Sequence, residues 1–193
     1  MKMRIFLIII FLTGFRFLFG QENNTIFDNK TNLTEGVYTT LSEILENNPK
    51  YHDCLFESKV NVWTGKIFIY YTDQSGARNE LKDTILLVVE DGKRYVCYKK
   101  GFYKLILTGA ISTFIIETID YKAMGPDEVR AKIYFWDVMT GKMDKLNPYN
   151  VDDIIKRDRV IYETYSDISD LKKSKTLYSY ILKYNMHNPV FIK

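Results

Sequence analysis

The chain holds two histidines, His52 and His187, and two cysteines, Cys54 and Cys97, and their spacing bounds the chemistry that 193 residues can perform. There is no His-x-x-x-His or Cys-x-x-Cys pair, so a zinc site would need these residues to converge from distant segments. No metal and no cofactor is expected. His52 and Cys54 lie two residues apart, which puts both on one face of an extended segment, the spacing a Cys–His nucleophilic pair uses. They are the catalytic candidates on spacing alone. Asp53, next to His52, points to the opposite face and is a poor orienter for a triad, and no Gly-x-Ser-x-Gly elbow occurs. Asp152-Asp153 and Asp127-Glu128, with Asp120 near the latter, are acid pairs of the kind glycoside hydrolysis uses. Asp152-Asp153 falls at the start of an expected helix, however, where acids simply favour the helix dipole. No glycine-rich loop precedes a helix to cradle a phosphate.

Cys54 and Cys97 both fall in strand-like segments. In an oxidising compartment they can form a disulfide, and in a packed sheet they serve as small buried thiols; the sequence leaves both open. Stacking is the remaining chemistry. Trp63, Tyr70, Tyr134 and Trp136 lie on or beside expected strands, and such a row on a solvent-facing sheet binds sugar rings or a partner strand. Most strand aromatics become core and cross-strand pairs instead.

The elements that must position these residues begin after a basic and apolar N-terminus. Lys2 and Arg4 precede the apolar run Ile5 to Leu12, and Gly20 is small enough to stand before a cleavage point, so residues 1 to 20 read as a secretory signal peptide. The run is shorter than the roughly 20 residues of a spanning helix, and Arg16 would be costly inside one. The signal carries Lys2, Arg4 and Arg16 and no acid, so the formal charge of +3 falls to zero from residue 21 onward. That balance gives no ground for nucleic acid or anionic lipid as a partner.

Residues 21 to 35 are polar and rich in Asn and Thr, and read as a flexible lead-in. Residues 36 to 193 read as one α+β domain: a short N-terminal helix, a largely antiparallel β-meander open to strong curvature, and C-terminal helices. Thr40 to Glu43 fits a capping box for the first helix. Strands are expected over Cys54 to Val62, Lys66 to Thr72, Thr84 to Glu90, Lys93 to Tyr98, Phe102 to Leu107, Ile111 to Tyr121 and Val129 to Val138. Asp91-Gly92 between two of them is a hairpin turn, because both positions need positive φ. Asn147-Pro148 then offers a helix cap, Ile154, Ile161, Tyr165 and Ile168 recur at helical spacing, and Ser169 or Asp170 caps a last helix that Pro189 stops.

Short words recur through this frame. Gly36-Val37-Tyr38, a short helix and Asn48-Pro49 precede Glu90-Asp91-Gly92-Lys93 with Tyr95. Phe102-Tyr103-Lys104-Leu105 follows, with Gly109 and Phe114, then Thr140-Gly141-Lys142, the acidic helix from Val151, and Tyr180-Ile181 before Tyr184-Asn185. Over most of residues 36 to 186 this pattern resembles a group of uncharacterised exported proteins from bacteria of the Bacteroidota type. The resemblance implies an envelope or extracellular setting, in periplasm, on the outer membrane or outside it. It implies no activity, so no residue inherits a catalytic role, and it leaves the three Asn-x-Thr triplets at Asn23, Asn29 and Asn32 without meaning as glycan sites.

The residues therefore favour an exported, non-enzymatic module that binds another envelope protein or a surface, with no transmembrane segment in the mature chain. The alternative is a carrier of a small apolar ligand or lipid in a curved antiparallel sheet, which requires an apolar cavity of roughly several hundred cubic ångströms. A hydrolase using His52 and Cys54 is the third reading.

Overall fold

The structure, a computed structural model, describes residues 24–52, 55–61, 66–73, 75–99, 101–120 and 128–193. Its centre is a seven-stranded antiparallel sheet in the order β11-β10-β9-β8-β7-β6-β2. The strands are β2 (Gly36–Tyr38), β6 (Leu87–Glu90), β7 (Lys93–Tyr98), β8 (Gly101–Leu107), β9 (Ile111–Asp120), β10 (Glu128–Asp137) and β11 (Met143–Lys145). From β6 to β11 each strand pairs with the next in sequence, so the sheet is a meander built from short local turns. The turn between β6 and β7 is Asp91-Gly92, with φ of 50° and 66°, the mirror-image turn whose twist matches the flanking strands. An α+β fold with a strongly curved meander is thus what the chain adopts.

A smaller sheet of β3 (Leu55–Asn61), β4 (Lys66–Thr72) and β5 (Arg78–Glu80) follows the order of the chain. It joins the main sheet where Tyr51 bridges Val37, and a satellite core of Val37, Ile69 and Leu81 packs there with Val88 and Phe102 beside it. Lys50 and Tyr51 both reach Asp83, at 2.6 and 2.7 Å, and fix the return of the chain.

Helix α1 (Leu41–Leu45) starts on Thr40, whose hydroxyl accepts the Glu43 N–H. The Glu43 carboxylate reaches back one residue further than a capping box requires, to the Thr39 N–H at 2.6 Å. Helices α2 (Pro148–Ile155), α3 (Arg159–Ser166) and α4 (Asp170–His187) close the fold. Asn147 caps α2 with Pro148 in its first turn, as the sequence suggested. The period linking Ile154 to Ile161 conceals a break. Asp158 caps a new helix there by accepting the Ile161 N–H at 3.0 Å. The main core runs through both layers and includes Tyr38, Ile44, Phe114, Phe135, Trp136, Ile154, Ile155, Tyr165 and Ile181.

Residues 24–35 are not a lead-in. Strand β1 (Thr25–Ile26) pairs with β12 (Phe191–Ile192), Phe27 is 1% exposed, and its N–H donates to the Val190 carbonyl at 2.7 Å. The polar composition misled because these side chains serve as local ties rather than as solvated surface. Asp28 accepts the Lys30 and Thr31 N–H groups, and Asn29 accepts the Thr108 N–H at 2.7 Å. Arg94 locks the loop from inside: its guanidinium donates to the Asp28 carbonyl at 2.6 Å, to the Thr31 carbonyl, and to Thr108 Oγ1 at 3.0 Å.

The sheet-to-helix contact is equally specific. Asn185 on α4 accepts the Ile111 N–H at 2.8 Å and donates to the Ile111 carbonyl at 2.9 Å, acting as one more residue of a strand. Gly109 makes room for it, since a Cβ there would lie 2.4 Å from Asn185 Nδ2. Two outcomes follow from these ties. Arg94→Ala takes the donor from the buried Thr31 carbonyl and one of two donors from the Asp28 carbonyl. It is expected to lower unfolding free energy in urea by about 2–4 kcal/mol, with residues 24–31 exchanging their amide hydrogens first. Gly109→Ala should displace Asn185 and lower stability by on the order of 2 kcal/mol, and pairing it with Asn185→Ala should give less than the sum of the two effects.

Candidate binding surface

The sequence singled out residues that the fold scatters. His52 is exposed and follows the Tyr51 bridge, while its proposed partner Cys54 lies outside the described residues, as does Trp63. Cys97 is a free, half-buried thiol whose pKa is pushed up by burial, the opposite of what a reactive thiolate needs. Tyr70 is half-buried with the Arg78 guanidinium 4.4 Å from its ring centre. Tyr134 belongs to a ring cluster, with centroids 5.7 Å from Phe114 and 5.4 Å from Tyr98. Trp136, a candidate for the surface row, is fully buried. It occupies the half of β10 flanked by β11 and β9 together, where both sides of the strand are covered. Among the described residues, Tyr70, Tyr134 and Trp136 do not form an exposed stacking row.

A polar cluster that the sequence did not reveal sits where α4 ends. Asp158, 6% exposed in its side chain, receives His187 Nδ1 at 2.6 Å and Asn188 Nδ2 at 2.7 Å. Burial alone would raise its carboxyl, but the Ile161 N–H, His187 and Asn188 outweigh burial and hold it at about 2. Nearby, Arg157 reaches the buried Asp137 at 2.9 Å. Arg157, Tyr184 and Asn188 help line an open cleft of about 530 Å³ whose other walls include Leu45, Met139, Val190 and Phe191. His187, with 54% of its side chain exposed, stands outside that lining. The arrangement orients an imidazole, but its geometry is that of a helix junction: Asp158 starts α3 and His187 ends α4. Among the described residues no group of three or more His, Cys, Asp or Glu side chains is placed to hold a metal ion. The signal that could have found the pair was the helix cap. Asp158 stands three residues before Ile161, and His187 falls in a last turn before Pro189.

The surface with the clearest binding geometry is the far half of the β9–β10 hairpin. Both strands are ten residues long and stay paired from Asp137–Ile111 to Glu128–Asp120. Near the body their side chains are buried, as at Ile111, Ser112, Thr113, Phe135 and Trp136. Further out every described side chain is exposed or half-exposed, and the hairpin becomes a two-stranded ribbon leaving the core. Cross-strand partners share a face, so Val129, Ala131 and Ile133 lie together, with Ile115 opposite Ile133 and the exposed Glu117 opposite Ala131, while Arg130 and Lys132 lie on the other face. Val129 is 62% exposed and Ile133 39%.

The edges of the ribbon are open as well. Strand β11 covers β10 only from Tyr134 to Trp136, and the Leu146 N–H adds one bond to the Ile133 carbonyl. On the opposite side the β8–β9 register runs through Leu105–Phe114 and Leu107–Thr113, with a bulge between, and goes no further among the described residues. Ile133 and Asp137 both bond towards the β11 side, so by strand alternation the N–H and C=O groups of Val129 and Ala131 point the same way. Among the described residues no strand meets them there.

No family model, no curated protein and no solved structure matches this chain.

The Asp158 cluster gives a pH signature. A carboxyl held at about 2 in the folded state and at its ordinary value near 3.8 when unfolded contributes stability that is fully present above about pH 4. That contribution is lost as pH falls towards 2. Urea unfolding of Asp158→Asn is expected to give about 1–2 kcal/mol less stability than the parent at pH 6, with the gap closing by pH 2.

Proposed function

We propose that the chain is an exported, non-enzymatic module that binds another macromolecule through the β9–β10 ribbon. The observation that carries this reading is the exposed apolar face of Val129, Ala131 and Ile133 on a strand whose outer edge has no neighbour among the described residues. Apolar side chains left exposed on a ribbon outside the core, Val129 most of all at 62%, mark interaction sites when they are grouped. Export rests on the basic and apolar residues 1 to 20, which lie outside the described residues, and agrees with the resemblance to exported Bacteroidota-type proteins. No helix among the described residues is long and apolar enough to cross a membrane.

A second reading, a carrier of a small apolar ligand, draws on one cleft. It has a volume of about 410 Å³ and is lined by Ile26, Phe27, Leu107, Leu182, Met186 and Val190 among others. It is an open furrow between α4 and the paired chain ends. The meander itself is filled by Phe114, Phe135 and Trp136, all fully buried.

In-cell cross-linking of a tagged copy in its native host, followed by mass spectrometry, tests the first reading. A recurrent partner should be captured by the parent and lost from the Val129→Asp, Ile133→Asp double variant, at an unchanged Tm. Full capture by that variant would reject the ribbon. The same preparation should show a mature N-terminus at Gln21; retention of Met1 on exported protein would reject cleavage there.

A further inference from the structure

We propose that the partner of the ribbon is an extended peptide segment that adds as a strand to the outer edge of β10, alternating apolar and acidic residues. The inference rests on the ribbon reading above and specifies what the ribbon takes. Three features of the edge converge on it.

The backbone comes first. The groups that point outward belong to Val129, Ala131 and Ile133, with the Ile133 carbonyl already satisfied by Leu146. A strand laid along this edge would complete those bonds, and main-chain pairing of this kind supplies affinity without demanding a side-chain pocket. The residues of the added strand directly opposite Val129 and Ala131 fall on the apolar face, since directly opposed residues point the same way. They should therefore be apolar.

Charge supplies the rest. Between these positions lie Arg130 and Lys132, both exposed and on the other face. The intervening residues of the added strand stand beside these cations, and opposite-charge cross-strand pairs are favourable whereas like charges are not. A second copy of this chain meets the wrong charges. If two copies of β10 pair through the same edge about Ala131, Arg130 of each faces Lys132 of the other. The register centred on Ala131, which brings Val129, Ala131 and Ile133 all into the pairing, is thus one in which self-pairing places cation against cation. The edge favours a foreign strand with acids in those places.

The test uses the full mature chain and two capped heptapeptides, one alternating Val and Glu and one alternating Val and Lys. Binding of the Glu peptide is expected to be at least about tenfold tighter at low salt, weakening as salt rises. In that complex the amide hydrogens of Val129 and Ala131 should become protected from exchange. Ala131→Pro removes one outward N–H at an edge position, where proline is tolerated, and should abolish binding without changing Tm. Arg130→Glu with Lys132→Glu should reverse the preference towards the Lys peptide. Equal affinity for both peptides, or undiminished binding by Ala131→Pro, would overturn the proposal. So would a dimer of the parent chain that Ala131→Pro converts to monomer, which would assign the edge to self-association. The two readings fail separately: if neither peptide binds while the Val129→Asp, Ile133→Asp variant still loses its cellular partner, strand addition falls and the ribbon stands. If capture is indifferent to that variant, both fall.

Discussion

Arg94 reaches from β7 beneath the loop at residues 28–31 and across to Thr108, and its partners are two backbone carbonyls and a hydroxyl. It is 9% exposed, and burial lowers the pKa of the guanidinium because the charged form has lost its water. Removing a cation from water is expensive, and the charge-assisted bonds to carbonyls, with the Asp28 carboxylate acting on the same charge, are what offset it. The loop needs the cation in turn, since the buried Thr31 carbonyl takes its hydrogen bond from it. Each side makes the other tolerable. Through Thr108 the same group fixes the corner where β8 passes to β9, and so determines where the long hairpin leaves the body.

That corner separates two regimes of one strand pair. Inboard, β9 and β10 are held by neighbours on both edges and by Asn185 from α4, and their side chains fill the core. Outboard, the same two strands pair only with each other among the described residues. An unflanked sheet edge is a hazard, because identical chains can add to it without limit. Arg130 and Lys132 limit that hazard here. Cations at alternate positions of the edge penalise the register centred on Ala131, in which Arg130 of each copy would meet Lys132 of the other.

Much of the frame was legible from sequence because its signals are local. Asp91-Gly92, the Thr40 cap, Asn147-Pro148 and Pro189 each act within a few residues, and the meander follows from strands too short and too closely spaced for crossover helices. What the sequence hid depends on distant partners. Residues 24–35 look solvated until Arg94 and Thr108 are placed beside them, and Trp136 reads as a surface candidate until β11 covers its half of β10. The His187–Asp158 pair joins residues at two helix ends, and periodicity carried the eye straight through the break between them. The ribbon was visible only as two long strands. That no described strand flanks their far halves is a property of the folded sheet, which local periodicity does not encode.

The pairing of β1 with β12 has a consequence in time. Phe27 finds its backbone partner in Val190, and Ile26 its opposite in Phe191, across almost the whole described chain. During synthesis the loop that Arg94 holds is made before the meander, yet the strand that clamps its leading end is made only after the meander and the helices that follow it. A ribosome-bound chain can assemble the hairpins of the meander one after another, because each needs only its predecessor. It cannot bury Phe27 in its final setting until residue 190 has emerged. The fold therefore closes like a belt whose buckle is made after the rest of the described fold, and until then Phe27 remains available to whatever machinery handles the unfinished chain.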